Sequence, residues 1–265
     1  MKRKIWIAVV LAVILAAGCG KSGTDTTSSD SSESVSEESE KKGTSEEEPQ
    51  NDDSSETEEE VEGDAATHYI RDIYADQISR YDTALSEQWE EEQYYEEDMS
   101  ALAASFYEGN PLENVGFALM DLGNDGYYEL LIGAINGADQ DPVLFEVWTV
   151  EDGKPVKLCT SGSRNRYYLC YMEEDDLYLI ANEGANGAAN SADHYYRMDG
   201  TKMAVVQGVV FDAEADEEHP WFLSGDDDWD ISNDTPVDEK MAQDIIDSYR
   251  NSYIIPEYIP YSSYK

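Results

Sequence analysis

Basic residues are scarce in this sequence: 17 Lys and Arg stand against 59 Asp and Glu, a net charge of −42 at pH 7. A field of that sign repels phosphate backbones and anionic lipid surfaces, which excludes nucleic acid as a partner. Cysteine is nearly missing too, with three in 265 residues, too few for a disulfide-built scaffold. The three histidines, His68, His194 and His219, are far apart in sequence and form no local metal or catalytic motif. The nucleophile signature G-x-S-x-G and the zinc signature H-E-x-x-H do not occur. No apolar run is long enough for a spanning helix. The longest, Ile5 to Ala17, has thirteen residues, and a helix of that length covers only about 20 Å.

What is present begins at the N-terminus. Lys2-Arg3-Lys4 precedes the uncharged run, which ends in Leu15-Ala16-Ala17-Gly18-Cys19. Charge, apolar run, small residues and cysteine in that order resemble the lipobox of bacterial lipoproteins. The resemblance implies removal of residues 1–18 as a signal peptide and a diacylglycerol thioether on Cys19. Two acyl chains hold a protein on a bilayer where one is marginal. The expected location is the outer face of the cell membrane, in a Gram-positive reading.

Residues 19–64 read as the lipidated cysteine and an acidic Ser/Glu-rich tether. Residues 20–64 hold 17 acids and 3 lysines, and Val35 and Val61 are their only aliphatic residues. Such a segment cannot bury enough apolar surface to offset chain entropy, so disorder is expected. From Ala65 to Lys265 aromatic and aliphatic residues become frequent, and the length suits one domain with a core. That region holds 11 Lys or Arg and 42 Asp or Glu.

The domain reads as α+β: two N-terminal helices, an antiparallel meander of about eight strands and one C-terminal helix. Ile70, Ile73, Tyr74, Ile78, Tyr81 and Leu85 recur at helical spacing. Tyr95, Met99, Leu102 and Phe106 predict a second helix over 91–107, ended by Asn110-Pro111. Turn signals at Gly123-Asn124-Asp125-Gly126, Asp152-Gly153 and Asp199-Gly200 sit between apolar runs and predict hairpins, with Glu151 opposite Lys154 in the second. A further pair, 167–172 with 177–181, crosses Glu173 to Asp176. The last helix is expected over 236–249, with Thr235 as cap, Asp238 completing a capping box and Val237, Met241, Ile245 and Tyr249 inward. The Tyr- and Pro-rich tail from Tyr253 reads as an extended strap.

One stretch carries a recognisable site pattern, Asp121-Leu122-Gly123-Asn124-Asp125-Gly126-Tyr127-Tyr128-Glu129-Leu130. It resembles the short calcium loops D-x-[DN]-x-D-G-x-x-[DE]-L of integrin-type repeats and of exported Gram-positive proteins. The resemblance implies calcium held by Asp121, Asp125, the Tyr127 carbonyl and Glu129, weakly, because Gly123 stands where a side-chain ligand belongs. Ile132, twelve positions along, excludes an EF-hand. The competing reading is a plain hairpin turn. Loop, helix and hairpins in a lipid-anchored chain also resemble uncharacterised clostridial surface lipoproteins, a resemblance that brings no activity with it.

Other candidates are plainer. A turn at Arg164-Asn165 would set Cys159 opposite Cys170 for a possible disulfide. Trp221 and Trp229 lie beside Asp226, Asp227, Asp228 and Asp230, a possible ligand surface for a sugar or cation, or a solvated loop. The small residues from Glu183 to Ser191 read as a flexible connection. The expected function is a membrane-anchored extracellular binding module for an unknown ligand, carbohydrate or protein. The alternative is a carbohydrate-active hydrolase using a carboxylate pair, which 42 acids neither exclude nor locate.

Overall fold

The computed structural model describes residues 66–135, 142–215 and 218–264. The signal segment, Cys19 and the tether expected up to residue 64 lie outside the described residues. All described residues belong to one compact unit within Ser54–Lys265.

A π-helical turn, Tyr69–Ile73, leads into α1, Ala75–Glu87. Ile78, Tyr81, Ala84 and Leu85 share one face of α1 and are buried, as the spacing predicts. Gln88 ends the helix in a left-handed conformation, φ 52°. Helix α2, Glu91–Glu96, opens on a reciprocal capping box between Glu90 and Gln93. The single helix expected over 91–107 does not form. The chain turns at Asp98, φ 53°, where Lys157 donates to the Asp98 carbonyl and carboxylate. It resumes as a 3₁₀ turn, Ala101–Phe106. The break frees Ser100, whose hydroxyl donates to the Ser161 carbonyl at 2.7 Å in the core. Asn110-Pro111 starts a helix rather than only ending one. In α3, Pro111–Asn114, Pro111 takes the first position and Asn110 accepts from the Leu112 N–H.

Twelve strands follow in one antiparallel sheet. They are β1 Val115–Met120, β2 Glu129–Ala134, β3 Val143–Glu151, β4 Lys154–Thr160, β5 Asn165–Met172 and β6 Leu177–Ala185. Next come β7 Asn190–Asp199, β8 Lys202–Asp212, β9 Trp221–Ser224 and β10 Thr235–Val237, then helix α4, Glu239–Arg250, then β11 Tyr253–Ile254 and β12 Ile259–Pro260. The sheet order is β10-β9-β8-β7-β6-β5-β3-β2-β1-β12, with β4 on β3 and β11 on β5. The count exceeds eight because β9, β10, β11 and β12 are edge pieces of two to four residues, too short to show a period in the sequence.

The four hairpins expected around the turns at 123–126, 152–153, 173–176 and 199–200 form. Met120 pairs Glu129, Glu151 pairs Lys154, Met172 pairs Leu177 and Asp199 pairs Lys202. Asp152 and Gly153 both have positive φ, 51° and 73°, as a type I′ turn requires. In the last hairpin Asp199 stays in the strand and Gly200 alone of the pair is positive, 59°.

The two faces of the sheet carry separate clusters. Helix α1, Tyr94 and Met99 pack with Phe117, Ile132, Phe145, Tyr168, Cys170 and Tyr195 on the helical face. Leu131, Leu144, Val147, Cys159, Leu169, Ile180 and Met198 form a second cluster on the other face. Along β5 the alternation is strict, Tyr168 and Cys170 one way, Tyr167 and Leu169 the other. The sheet curls far enough around the second face to bring Gly123, in the β1–β2 loop, against Met198 of β7, at 3.4 Å from where a Gly123 Cβ would lie. No helix is needed to bury that face.

The C-terminal helix starts later than expected. Thr235 and Pro236 lie in β10, paired with Leu223 and Phe222, an edge position that tolerates the missing proline N–H. Asp238 is the cap, accepting from the Met241 N–H at 2.8 Å. Its inward face is Ala242 and Ile246, with Met241 half exposed. The packing partner is the Val209 side of β8 and β9, against which Val237 and Ile245 also pack, and Tyr249 stacks on Tyr195, so of the four residues expected inward only Met241 faces out. The tail runs as a strap, β11 against β5 and β12 against β1.

Candidate functional site

A row of charges crosses the middle of the helical face. Arg166 of β5 is in register with Glu183 of β6, which is in register with Asp193 of β7. Opposed residues on one face of an antiparallel pair sit about 5 Å apart, and two of these three are acids. The C-terminal residue of α4 answers them. Arg250 donates from Nε to Glu183 Oε1 at 2.8 Å and from Nη2 to Asp193 Oδ1 at 3.4 Å. Tyr253 of β11 donates its hydroxyl to the same Glu183 oxygen at 2.9 Å. Its ring lies parallel to Tyr168 at 4.7 Å. Immediately before Arg250, Tyr249 stacks on Tyr195 at 3.6 Å and fixes the end of the helix to the sheet.

Arg166, Tyr168, Glu183, Asp193, Arg250 and Tyr253 line a cleft of about 610 Å³, completed by Ser163, Arg164, Gly184, Ala185 and Ser191. The volume falls within the range of small-molecule sites, roughly 300–1,000 Å³. Burial pushes the Asp193 carboxyl up to about 6, with Arg250 pulling it down and Glu183 pushing it further up. The cleft therefore holds an acid that ionises near neutrality beside a carboxylate held by an arginine and a tyrosine.

Sequence reasoning did not find this site. Its members come from 163–168, 183–193 and 250–253, and no spacing rule joins them. One signal was available. Arginine occurs only seven times in the chain, and Arg164, Arg166 and Arg250 are all here. The Glu183–Ser191 stretch, expected to be a flexible connection, is mostly strand, and its ends supply Glu183, Gly184, Ala185 and Ser191 to the cleft.

The calcium-type loop closes on its own hydrogen bonds. Asp121 accepts from the Asp125 N–H at 3.0 Å and the Gly126 N–H at 2.8 Å. Asp125 accepts from the Tyr127 N–H at 3.0 Å. Glu129 turns inward, accepting from the Leu122 N–H and the Thr149 hydroxyl, each at 2.9 Å. Its burial pushes its carboxyl up to about 7. Among the described residues no group of three His, Cys, Asp or Glu side chains is placed to hold a metal ion. The expected ligands are gathered at one loop, and the donors they satisfy are the loop's own N–H groups and the Thr149 hydroxyl of β3.

The expected Cys159–Cys170 disulfide does not form. Cys159 pairs with Val147 and Cys170 with Leu179 and Tyr253, because β4 pairs with β3 while β5 pairs with β3, β6 and β11. The two sulfurs belong to different clusters on opposite faces of the sheet, and both thiols are free. Burial raises both above the ordinary thiol value, which keeps them protonated and unreactive.

Trp221 and Trp229 do not make one surface. Trp221 packs with Leu223, Val237 and Ile245 under α4 and against Phe211 at 4.8 Å. Trp229 lies beside Gly184, its Cζ2 3.3 Å from where a Cβ there would stand. The acids beside them are exposed turn-formers: Asp228 accepts from the Asp230 N–H and Asp230 from the Ser232 N–H. His194 is buried on β7, and burial lowers its pKa against the opposing pull of Asp227, Asp226, Asp234 and Asp228.

Comparison of the whole chain with family models, with curated proteins and with solved structures gives no match.

Proposed function

We propose that this chain is a lipid-anchored, exported binding module and that its ligand sits in the cleft between β5, β6, β7 and the end of α4. The observation that carries the reading is the convergence of Arg164, Arg166, Glu183, Asp193, Arg250 and Tyr253 on one concavity of suitable size. Convergent polar groups in a preformed cleft are the usual mark of a small-molecule site. The anchor and tether rest on the lipobox pattern ending at Cys19. They would display the cleft away from the membrane.

The test is a glycan array and a small-molecule melting panel on the mature protein, repeated with Ala185→Trp. Ala185 is exposed at the cleft mouth, so an indole there blocks entry without entering the core. Binding that disappears in the blocked protein supports the reading, and binding that persists overturns it. Mass spectrometry of the mature N-terminus should show acylated Cys19 and no residues 1–18.

A second reading has one observation in its favour. Asp193, pushed up to about 6, faces Glu183, which Arg250 and Tyr253 hold. An acid and a carboxylate on neighbouring strands are the equipment of a glycoside hydrolase. Turnover of aryl glycosides, lost in both Asp193→Asn and Glu183→Gln, would move the protein to that class.

A further inference from the structure

We propose that the cleft ligand is a sugar acid, a pyranose ring bearing one carboxylate. The inference rests on the cleft being the binding site and adds the charge and shape of what it takes. The first support is where the arginines are. The domain holds 42 acids against 11 basic residues, so any anion approaching it is repelled at long range. Against that background three of the chain's seven arginines line one cleft. Arg250 is pinned by Glu183 and Asp193, and Arg166 lies opposite Glu183 in register. Arg164 is exposed at the edge of the cleft and has no ion pair among the described residues. A guanidinium fork in that position matches a carboxylate with two parallel hydrogen bonds.

The second support is the local charge. Three arginines and two acids leave one positive charge, enough for a single carboxylate and too little for a phosphate dianion beside Glu183 and Asp193. A zwitterion is also disfavoured, since its ammonium would have to compete with Arg250 and Tyr253 for the same carboxylates. Those carboxylates still have lone pairs for neutral hydroxyl donors. Ser163 and Ser191 add hydroxyls, and the half-buried Tyr253 ring, backed by the buried Tyr168, adds an apolar face. Hydroxyls, an apolar face and one anion together describe a uronate-type sugar.

The experiment is calorimetric titration of the full mature chain with sodium D-glucuronate, D-glucose and inorganic phosphate, using wild type, Arg164→Ala and Ala185→Trp. The expected result is glucuronate binding at least about tenfold tighter than glucose or phosphate. Arg164→Ala should bring glucuronate to the glucose level, and Ala185→Trp should abolish both. Equal binding of glucose and glucuronate, both lost in Ala185→Trp, overturns the sugar-acid inference and leaves the cleft as the site. Phosphate as the tightest ligand, or no measurable glucuronate binding, also overturns the inference. Glucuronate binding that survives Ala185→Trp overturns the inference and the cleft reading together.

Discussion

The hydroxyl of Tyr258 stands where a side chain on Gly133 would begin. Tyr258 belongs to the strap between β11 and β12, and Gly133 to β2, so this contact holds the tail across the second face. Gly116 of β1 receives the same residue, with Tyr258 Cβ at 2.9 Å and the Ile259 carbonyl at 2.7 Å from its missing Cβ.

Gly133→Ala should therefore be costly. Its methyl would meet the Tyr258 phenol and the Val143 carbonyl, the latter at 2.8 Å, and that carbonyl is fixed in β3. Overpacking of this kind costs roughly 2–3 kcal/mol, read as a lower urea midpoint. Among the described residues the buried Tyr258 hydroxyl has no hydrogen-bond partner, so Tyr258→Phe should be neutral or stabilising by about 1 kcal/mol. A mild Gly133→Ala together with a damaging Tyr258→Phe would refute this packing.

Glu129 should make the domain more stable in mild acid. Its folded pKa, about 7, lies above the ordinary carboxylate value because the group is buried. A raised folded pKa means that the folded state favours the protonated form. Its stabilising contribution is complete below about pH 4 and is lost as pH rises through about 7. Glu129→Gln keeps an oxygen for the Leu122 N–H and removes the titration. Wild type should lose on the order of 2–3 kcal/mol relative to that variant between pH 4 and 8. Chemical denaturation at several pH values reads the difference, and parallel curves for the two proteins would sink the idea.

The β1–β2 loop should melt alike with and without calcium. Asp121 satisfies two backbone donors of the loop and Asp125 a third, so the turn is closed without a cation. Asp121→Ala should lower stability by about 1–2 kcal/mol, equally in millimolar calcium and in chelator. A calcium-dependent rise in melting temperature that Asp125→Ala removes would instead support the calcium reading suggested by the sequence.

Much of the local structure could be read from the sequence. Asp152-Gly153 has positive φ at both positions, and in I′ turns that requirement falls on the residues themselves. The Glu151–Lys154 register follows from the turn alone. Asp238 as an N-terminal cap was legible in part, since the residue was marked but the cap was placed at Thr235. The error arose because Thr235-Pro236 fits a helix start and an edge strand equally well, and only the presence of β9 decides between them.

The remainder belonged to tertiary structure. The sequence by itself determined the change of composition near Ala65, the antiparallel hairpins and the alternation along each strand, because these depend on neighbours within a few residues. It did not determine that β4 would pair only with β3, and so it could not put Cys159 and Cys170 on opposite faces. The candidate site was likewise beyond it. Arg166, Glu183, Asp193 and Arg250 span more than eighty positions and meet only after β5, β6 and β7 take their register and α4 docks against β8 and β9. A strand shifted by one residue sends every side chain to the other face. The cleft exists because packing of the whole sheet chose one register, a choice made by contacts distant in sequence.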